Sequence, residues 1–529
     1  SVSAEVQTEQ RDELEAAIIK EIELLCASQL DEELEKAKRV CLVSQFKTLT
    51  TASGRASDLA SNWHEANNLS FTKDFIKSVD AVTVADVRRV CEHYLLDHSK
   101  LTVTSLDPEE TKAKEAATKK QKSQNEIISH TLSNGLELQL SANPRLPMVS
   151  IQGACIAGLT SETPTTAGIS TLLCALLTKG TTSRTGAEIA NQLEGLGAGL
   201  AASAGNNTSA ISASCLSQDL GTVLELLGDC YANPSFNSDI IEFEKKTQLN
   251  ALLEQNEDPI SLAFRTMRST LFAGEGYGVN SLGSAESIGN LDRLSLSSHH
   301  SRYYTALNTK LSIFGDIDIE HTIELAEKHL SQIRRGEPIA PPAQTLGDPE
   351  EINLNLDKQQ AILTLGFAGA SIHSEDLQAL DLLHAWCSDM AGPLFTRIRE
   401  ELGLAYYCSA TQFHGHDTGL FGFYLGTSPE QLELARTELL KTIDDISNNG
   451  IDAKTLDSVK NSWLSSQALA NQSNSSMARL CAIDTALGFG PAHHHTIAAK
   501  IKAVTTDDIL AAAKKYFGQQ TPTMVTVTP

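Results

Sequence analysis

The chain is 529 residues long and carries 42 Lys and Arg against 66 Asp and Glu, a formal charge of −24. Such a balance repels a phosphate backbone, and no basic run with interleaved aromatics offsets it, which argues against a nucleic-acid partner. With 41% hydrophobic and 20% charged residues the chain has core enough for roughly three to four domains, while its longest apolar runs, such as Leu172 to Leu177, fall short of the ~20 residues of a membrane span.

The chain begins Ser1-Val2-Ser3, without Met and without a secretory signal pattern. The first hundred residues read as a long amphipathic helix followed by shorter ones. Thr83-Val84-Ala85-Asp86 marks a late helix start, with a hydroxyl to cap free amides and an acid to favour the positive end of the dipole. From Pro108 to Glu126 the chain is rich in Lys, Glu and Gln with no apolar residue larger than Ala; nothing there can bury a face, so it reads as a linker. Asn134-Gly135 follows, with Leu136, Leu138 and Leu140 alternating after it, the pattern of a hairpin that opens a sheet. Strand-like runs at Val149–Ile156, Ala210–Leu216 and Leu311–Phe314 interleave with helical ones, giving a mixed α/β unit. Pro338, Pro341 and Pro342 break any regular element over 336–348, and a further unit starts near the strand Gln360–Gly366 and ends on the strand Thr523–Val527.

That last unit repeats the beginning of the chain. Residues 9–104 match residues 430–526 at an offset of 421, becoming 422 after one slip: Glu9-Gln10 meets Glu430-Gln431, Val82-Thr83 meets Val504-Thr505, Asp86 meets Asp508 and Tyr94 meets Tyr516. Leu432, Ala435, Leu439, Ile443 and Ile446 supply the helical spacing of the second copy, Asp452 opens its next helix, and Thr505-Thr506-Asp507-Asp508 its last. A register held this long is an internal repeat. If the repeats are equal, roughly 300 residues of the first are expected upstream. The ten cysteines stand singly in apolar segments with no CxxC pair, as buried thiols in a reducing compartment do, which favours the cytoplasm.

The segment Leu394-Phe395-Thr396-Arg397-Ile398-Arg399-Glu400-Glu401-Leu402-Gly403-Leu404-Ala405-Tyr406 resembles the signature of the M16 metallopeptidase family (insulinase, pitrilysin, mitochondrial processing peptidase), in which an Arg and a Tyr seven residues apart recur, here Arg399 and Tyr406. Leu132–Leu136, Lys179–Thr181, Leu193–Ala198, His299–Asp318 and Pro429-Glu430 agree in order with other family motifs. The resemblance implies an α+β fold of repeated domains, each a mixed β-sheet packed against helices, forming one side of a clamshell. It would make 1–105 the C-terminal part of domain two, 106–126 a linker between halves, 127–335 domain three, 336–348 a second linker and 349–529 domain four.

A peptide-cleaving zinc site needs three protein ligands, a bound water and a carboxylate to take its proton. The family supplies them with an inverted HxxEH helix and a later Glu. Anchored on Gly168 and Lys179-Gly180-Thr181, the corresponding positions are Thr171, Cys174 and Ala175, so both His and the base are missing; Glu254 falls near the later ligand but cannot hold zinc by itself. His493-His494-His495 and His299-His300 read as helix or loop surface, His414-Gly415-His416-Asp417 as a strand end, and Cys174 among leucines as a core thiol rather than a nucleophile. By the resemblance, Arg399 and Tyr406 bind substrate near the scissile carbonyl, where a fixed cation and a neutral hydroxyl steady the developing oxyanion. The expectation is the zinc-less half of an M16 metallopeptidase that encloses peptides or unfolded segments, its zinc lying on an absent N-terminal part or a partner chain, and the chain alone inactive. The alternative is a non-proteolytic scaffold or peptide-binding subunit of the same build.

Overall fold

The computed structural model describes residues 11–27, 30–31, 34–35, 37–38, 41, 52–96 and 126–529. The chain divides into two compact units, one within residues 1–122 and one within 123–529. The described elements of the first are helices: α1 (Arg11–Ala27), α2 (Ala52–Ala66), α3 (Phe71–Ala81) and α4 (Val84–Val90), the last running into a π-helical turn, Cys91–Leu95. Thr83 accepts from the Asp86 N–H, the hydroxyl cap that the sequence predicts, and the Asp86 carboxylate in turn takes the Thr83 N–H, which makes the cap reciprocal. Several large apolar side chains of this unit stay open, with Trp63 58%, Tyr94 62% and Leu95 44% exposed. The linker expected at 106–126 lies, apart from Glu126, outside the described residues.

The second unit is built on two mixed sheets. The first has the order β1-β2-β6-β3-β5-β4, with β1 (Ile128–Thr131), β2 (Glu137–Ala142), β3 (Met148–Cys155), β4 (Gly199–Ala204), β5 (Ser209–Leu216) and β6 (Thr309–Gly315). Gly135, at φ +92, turns the chain between β1 and β2, a left-handed conformation that glycine adopts without a Cβ clash. The second sheet has the order β7-β11-β8-β10-β9, with β7 (Glu351–Asn355), β8 (Ala361–Gly369), β9 (Tyr407–Phe413), β10 (Gly419–Thr427) and β11 (Thr523–Thr528). β2 runs parallel to β6 and β7 parallel to β11, and the other pairs are antiparallel. With β1 set aside, the two sheets share one topology strand for strand, so the second unit carries a repeat of its own beside the match of residues 9–104 to 430–526.

Fourteen further helices, counted among the described residues, pack on these sheets. In the first half of the unit they are α5 (Ile169–Leu176), α6 (Gly186–Leu196), α7 (Leu220–Ala232), α8 (Ser238–Glu257), α9 (Pro259–Leu271), α10 (Ala285–Asn290), α11 (Arg293–Tyr303) and α12 (Ile319–Leu330). In the second they are α13 (Leu377–Ser388), α14 (Leu432–Asn449), α15 (Ala453–Ala470), α16 (Asn474–Ala486), α17 (His494–Ala503) and α18 (Thr506–Ala513). One face of each sheet carries its own helices: Leu138, Leu140 and Ile151 join Leu172 and Leu224 in one core, and Leu363, Leu365 and Phe423 join Leu383, Leu439 and Phe517 in the other.

The opposite faces are covered by exchange. Helix α9 lays Ala263, Met267 and Leu271 on Ile362, Val525 and Val527 of the second sheet. Helix α16 lays Ala478 and Cys481 on Phe314 of the first, with Asn474 receiving the Asn143 amide at 2.8 Å and Ser475 the Gln152 amide at 3.1 Å. Gly366 on β8 makes room for this, because a Cβ there would stand 2.7 Å from the Met267 sulfur. The hairpin tips β4–β5 and β9–β10 meet at Tyr277, whose hydroxyl donates to Asn207 Oδ1 at 2.5 Å and accepts from the His416 N–H at 2.9 Å.

Candidate functional site

The helix that opens at Pro393 widens to a π-helix over Phe395–Glu401 and stops at Gly403, whose φ of +63 is left-handed, as the sequence implies for a glycine after a helix end. Arg397 pins it, with one nitrogen 2.9 Å from Glu401 and another 2.9 Å from Glu438 on α14. Ile398 and Leu394 are buried beneath, so Arg399 is forced outward, its guanidinium 4.8 Å above the Phe395 ring, a cation–π contact that restrains it without neutralising it. Past the turn, Leu404 and Ala405 are buried, the Thr427 hydroxyl donates to Leu404 O at 2.6 Å and the Tyr406 N–H to Gly426 O at 2.8 Å. Tyr406 is thus fixed by its backbone immediately before β9 while its side chain is 55% exposed. The structure brings Arg399 and Tyr406 to the two sides of one rigid turn beside β9, the outer strand of the second sheet.

Thr171, Cys174 and Ala175 lie on α5, and none is free to hold a cation. The Thr171 hydroxyl donates to Ser281 O at 2.7 Å. Cys174 is 4% exposed with its sulfur 3.4 Å from the Tyr304 hydroxyl, and burial pushes its thiol up to about 11, far from the thiolate that a metal or an electrophile requires. Ala175 offers no donor, and Glu254 is exposed on α8. Among the described residues no three His, Cys, Asp or Glu side chains gather as a metal shell. The residues at these positions do not fit zinc.

Behind α5, Glu162 is 5% exposed and receives the Gly168 N–H at 2.7 Å and the Ser170 N–H at 3.0 Å. Burial pushes its carboxyl up to about 7 against the opposing pull of the Ser170 and Gly168 donors. Sequence reasoning passed over this residue, although an acid a few residues before an apolar helix is the signal that finds it.

The histidines divide differently from expectation. His299 and His300 are not surface residues: His299 is 8% exposed and burial lowers it to about 4, while His300 Nε2 lies 2.8 Å from Tyr231 O and its ring stacks 5.5 Å from Tyr304. Helix α11 turns this pair to the core because Leu296, one turn earlier, is fully buried on the same side. His414 stands just past β9, a strand end, with Nε2 3.2 Å from Asp381. His494 is not a surface residue either, its side chain being 7% exposed and its Nδ1 3.0 Å from Asp484, whereas His495 is exposed.

Residues 140–284 match the family model for insulinase (peptidase family M16), and residues 290–462 match the model for the peptidase M16 inactive domain. An uncharacterized zinc protease of Rickettsia bellii is 30% identical over 315 residues, covering 59% of this chain and 76% of that protein. One from Mycobacterium bovis is 26% identical over 397 residues, covering 74% and 90%. Among solved structures, a peptidase M16 inactive domain from Pseudomonas fluorescens superposes with a TM-score of 0.72 at 20% identity, over 76% of this chain and 98% of that one. A protease from Helicobacter pylori superposes at 0.71 and 19%, over 77% and 100%.

Proposed function

Because the chain belongs to the peptidase M16 family, we propose that residues 127–529 are a zinc-less half that encloses a peptide and lends Arg399 and Tyr406 to a zinc centre on another segment or subunit. The observation that carries the reading is the contrast between two sites of one unit. On α5, the positions of the zinc motif are a tied hydroxyl, a buried thiol and a methyl group, while the Arg399–Tyr406 turn is rigid, solvent-facing and set against an outer strand. An extended peptide added along such an edge is held by main-chain hydrogen bonds, and side chains beside the edge then reach its carbonyls.

On this reading the guanidinium brings a fixed charge, which Phe395 orients, and the Tyr406 hydroxyl donates a second hydrogen bond. Both strengthen as a carbonyl oxygen gains negative charge, so they lower the barrier more than they tighten ground-state binding. In the wider protein, zinc would supply the activated water from elsewhere. Residues 1–105 are proposed as the C-terminal part of a preceding domain, supported by the open side chains of Val90, Tyr94 and Leu95, whose repeat partners Ala512, Tyr516 and Phe517 are buried in the second sheet's core.

The deciding experiment replaces Arg399 with Ala, and separately Tyr406 with Phe, in the assembled peptidase. Turnover should fall about 10²-fold for Arg399→Ala, with KM changed less and with unaltered melting temperature. Unchanged kcat would remove the role. Metal analysis of this chain alone should find less than stoichiometric zinc, and one tightly held zinc per chain would overturn the assignment of a zinc-less half.

A further inference from the structure

Helix α2 is the first unit's copy of α16. At the offset of 422 that joins Val82-Thr83 to Val504-Thr505, α2 starts at Ala52 where α16 starts at Asn474, and α4 starts at Val84 where α18 starts at Thr506. The join to the next helix is copied too. Asp484 on α16 takes the His494 N–H at 2.9 Å and stands 3.0 Å from its ring nitrogen. The counterparts Asn62 and Thr72 meet likewise, the Asn62 amide donating to the Thr72 hydroxyl at 2.9 Å and that hydroxyl to Asp58 at 2.6 Å. One register therefore holds in sequence and in space.

In that register burial is inverted. The buried residues of α16 are Ala478, Cys481, Ala482 and Thr485. Their counterparts on α2, Ala56, Leu59, Ala60 and Trp63, are all exposed, Leu59 at 47% and Trp63 at 58% against 0% for Cys481 and 8% for Thr485. Positions 56, 59, 60 and 63 share one side of a helix. None of the four is charged, and the two that differ in kind from their counterparts are larger and apolar. A helix that faces water carries charged or polar residues along such a side, so this seam is built to be covered.

What covers it follows from what α16 covers. Ala478 and Cys481 lie on Phe314 of the first sheet, on the face that the helices of the first half leave bare, and α9, the other exchanged helix, also lies on a sheet. Close packing sets a further condition. Opposite Met267 of α9 the second sheet carries Gly366, and Trp63, much larger than Thr485, requires a gap of the same kind.

We propose that the seam formed by Ala56, Leu59, Ala60 and Trp63 docks on the bare face of a β-sheet in another domain of M16 type, a face uncharged where the seam lands and carrying Gly or Ala beneath Trp63. The proposal rests on the reading of residues 1–105 as the end of a preceding domain. It adds that this end meets two sheets, its own through Val90, Tyr94 and Leu95, and a neighbour's through α2.

Photocrosslinking in the native host, on the full protein with p-benzoylphenylalanine in place of Trp63, tests this; the same residue in place of Leu59 serves if the first variant does not fold. Mass spectrometry of the crosslinked peptides should place the bond on a strand of an M16-type domain outside this chain's own 529 residues. Adding Ala60→Glu, at a position exposed in the chain alone, should cut the yield about tenfold, because a carboxylate would then be buried in an apolar seam. Circular dichroism reports that each variant folds. A bond to this chain, to a second copy of it or to a protein outside the family overturns the proposal, as does a yield that Ala60→Glu leaves unchanged. The photoreactive residue in place of Tyr94 tests the underlying reading separately: capture of a sheet from position 94, with none from 63 or 59, overturns the docking of α2 alone, and no capture from any of the three overturns both.

Discussion

Replacing Glu162 by Gln isolates a single buried carboxyl at the start of α5. Its value in the fold is about 7 against an ordinary 4.5, and each unit of difference is worth about 1.4 kcal/mol, so ionising it inside the protein costs about 3 kcal/mol. The sign follows from the raised value. Below pH 4.5 the group is protonated in both states and its contribution is full; as pH rises toward and through 7 the unfolded chain loses the proton first, and the contribution is lost. Gln cannot titrate, and its amide nitrogen faces one of the N–H donors that Glu162 now accepts from Gly168 and Ser170, a constant loss of about 1–3 kcal/mol. The difference between wild type and Glu162→Gln, measured by urea unfolding at pH 5, 6, 7 and 8 at constant ionic strength, should therefore favour wild type at pH 5 and shrink by about 2.5 kcal/mol by pH 8. Other titrating groups, such as His299, cancel because both proteins share them. A difference that stays constant from pH 5 to 8 would refute the reasoning, and would mean that the two amides hold the carboxylate ionised as readily as water does.

Three further outcomes are expected. Met267→Ala removes the fully buried side chain that α9 sets against Gly366 and should destabilise the unit by about 2–5 kcal/mol, read as a shifted denaturation midpoint. Gly315→Ala should cost about 2 kcal/mol or more, because φ is +144 and a Cβ would stand 2.2 Å from Met148 O; its melting temperature will show this. Residues 1–122 expressed alone should bind the dye ANS strongly, and replacing Tyr94 and Leu95 by Ser and Lys should lower that signal measurably, since these side chains are 62% and 44% exposed.

Local rules made part of this fold readable. The Asn134-Gly135 turn, the strand β6 from the short strand-like run Leu311–Phe314, and the matched caps Thr83–Asp86 and Thr505–Asp508 all rest on neighbours within four residues, where sequence spacing and geometry coincide. Strand β4 was invisible because Gly199, Ala201, Ala202 and Ser203 carry no β-branched signal; its strand state comes from pairing with β5. The burial of His299 and His300 depended on which side of α11 faces the core, and polar residues at both positions hid that. Arg399 and Tyr406 were found by motif, but the π-helical widening and the Phe395 contact that orient the Arg were not. His414, Asp381 and His494 line one cavity from three distant segments, and no local pattern announces such a meeting.

The exchange of α9 and α16 constrains how this unit can come into being. Neither sheet is finished until the other half of the repeat has been made, so a ribosome that has released the first sheet has released a surface still lacking its cover. Formation must then wait on contacts far apart in the chain, between Phe314 and Cys481 and between Met267 and Val525, the arrangement that slows folding and exposes intermediates to aggregation. A cut through the proline-bearing segment 336–348 would yield not two small proteins but two fragments, each wearing a helix meant for its neighbour.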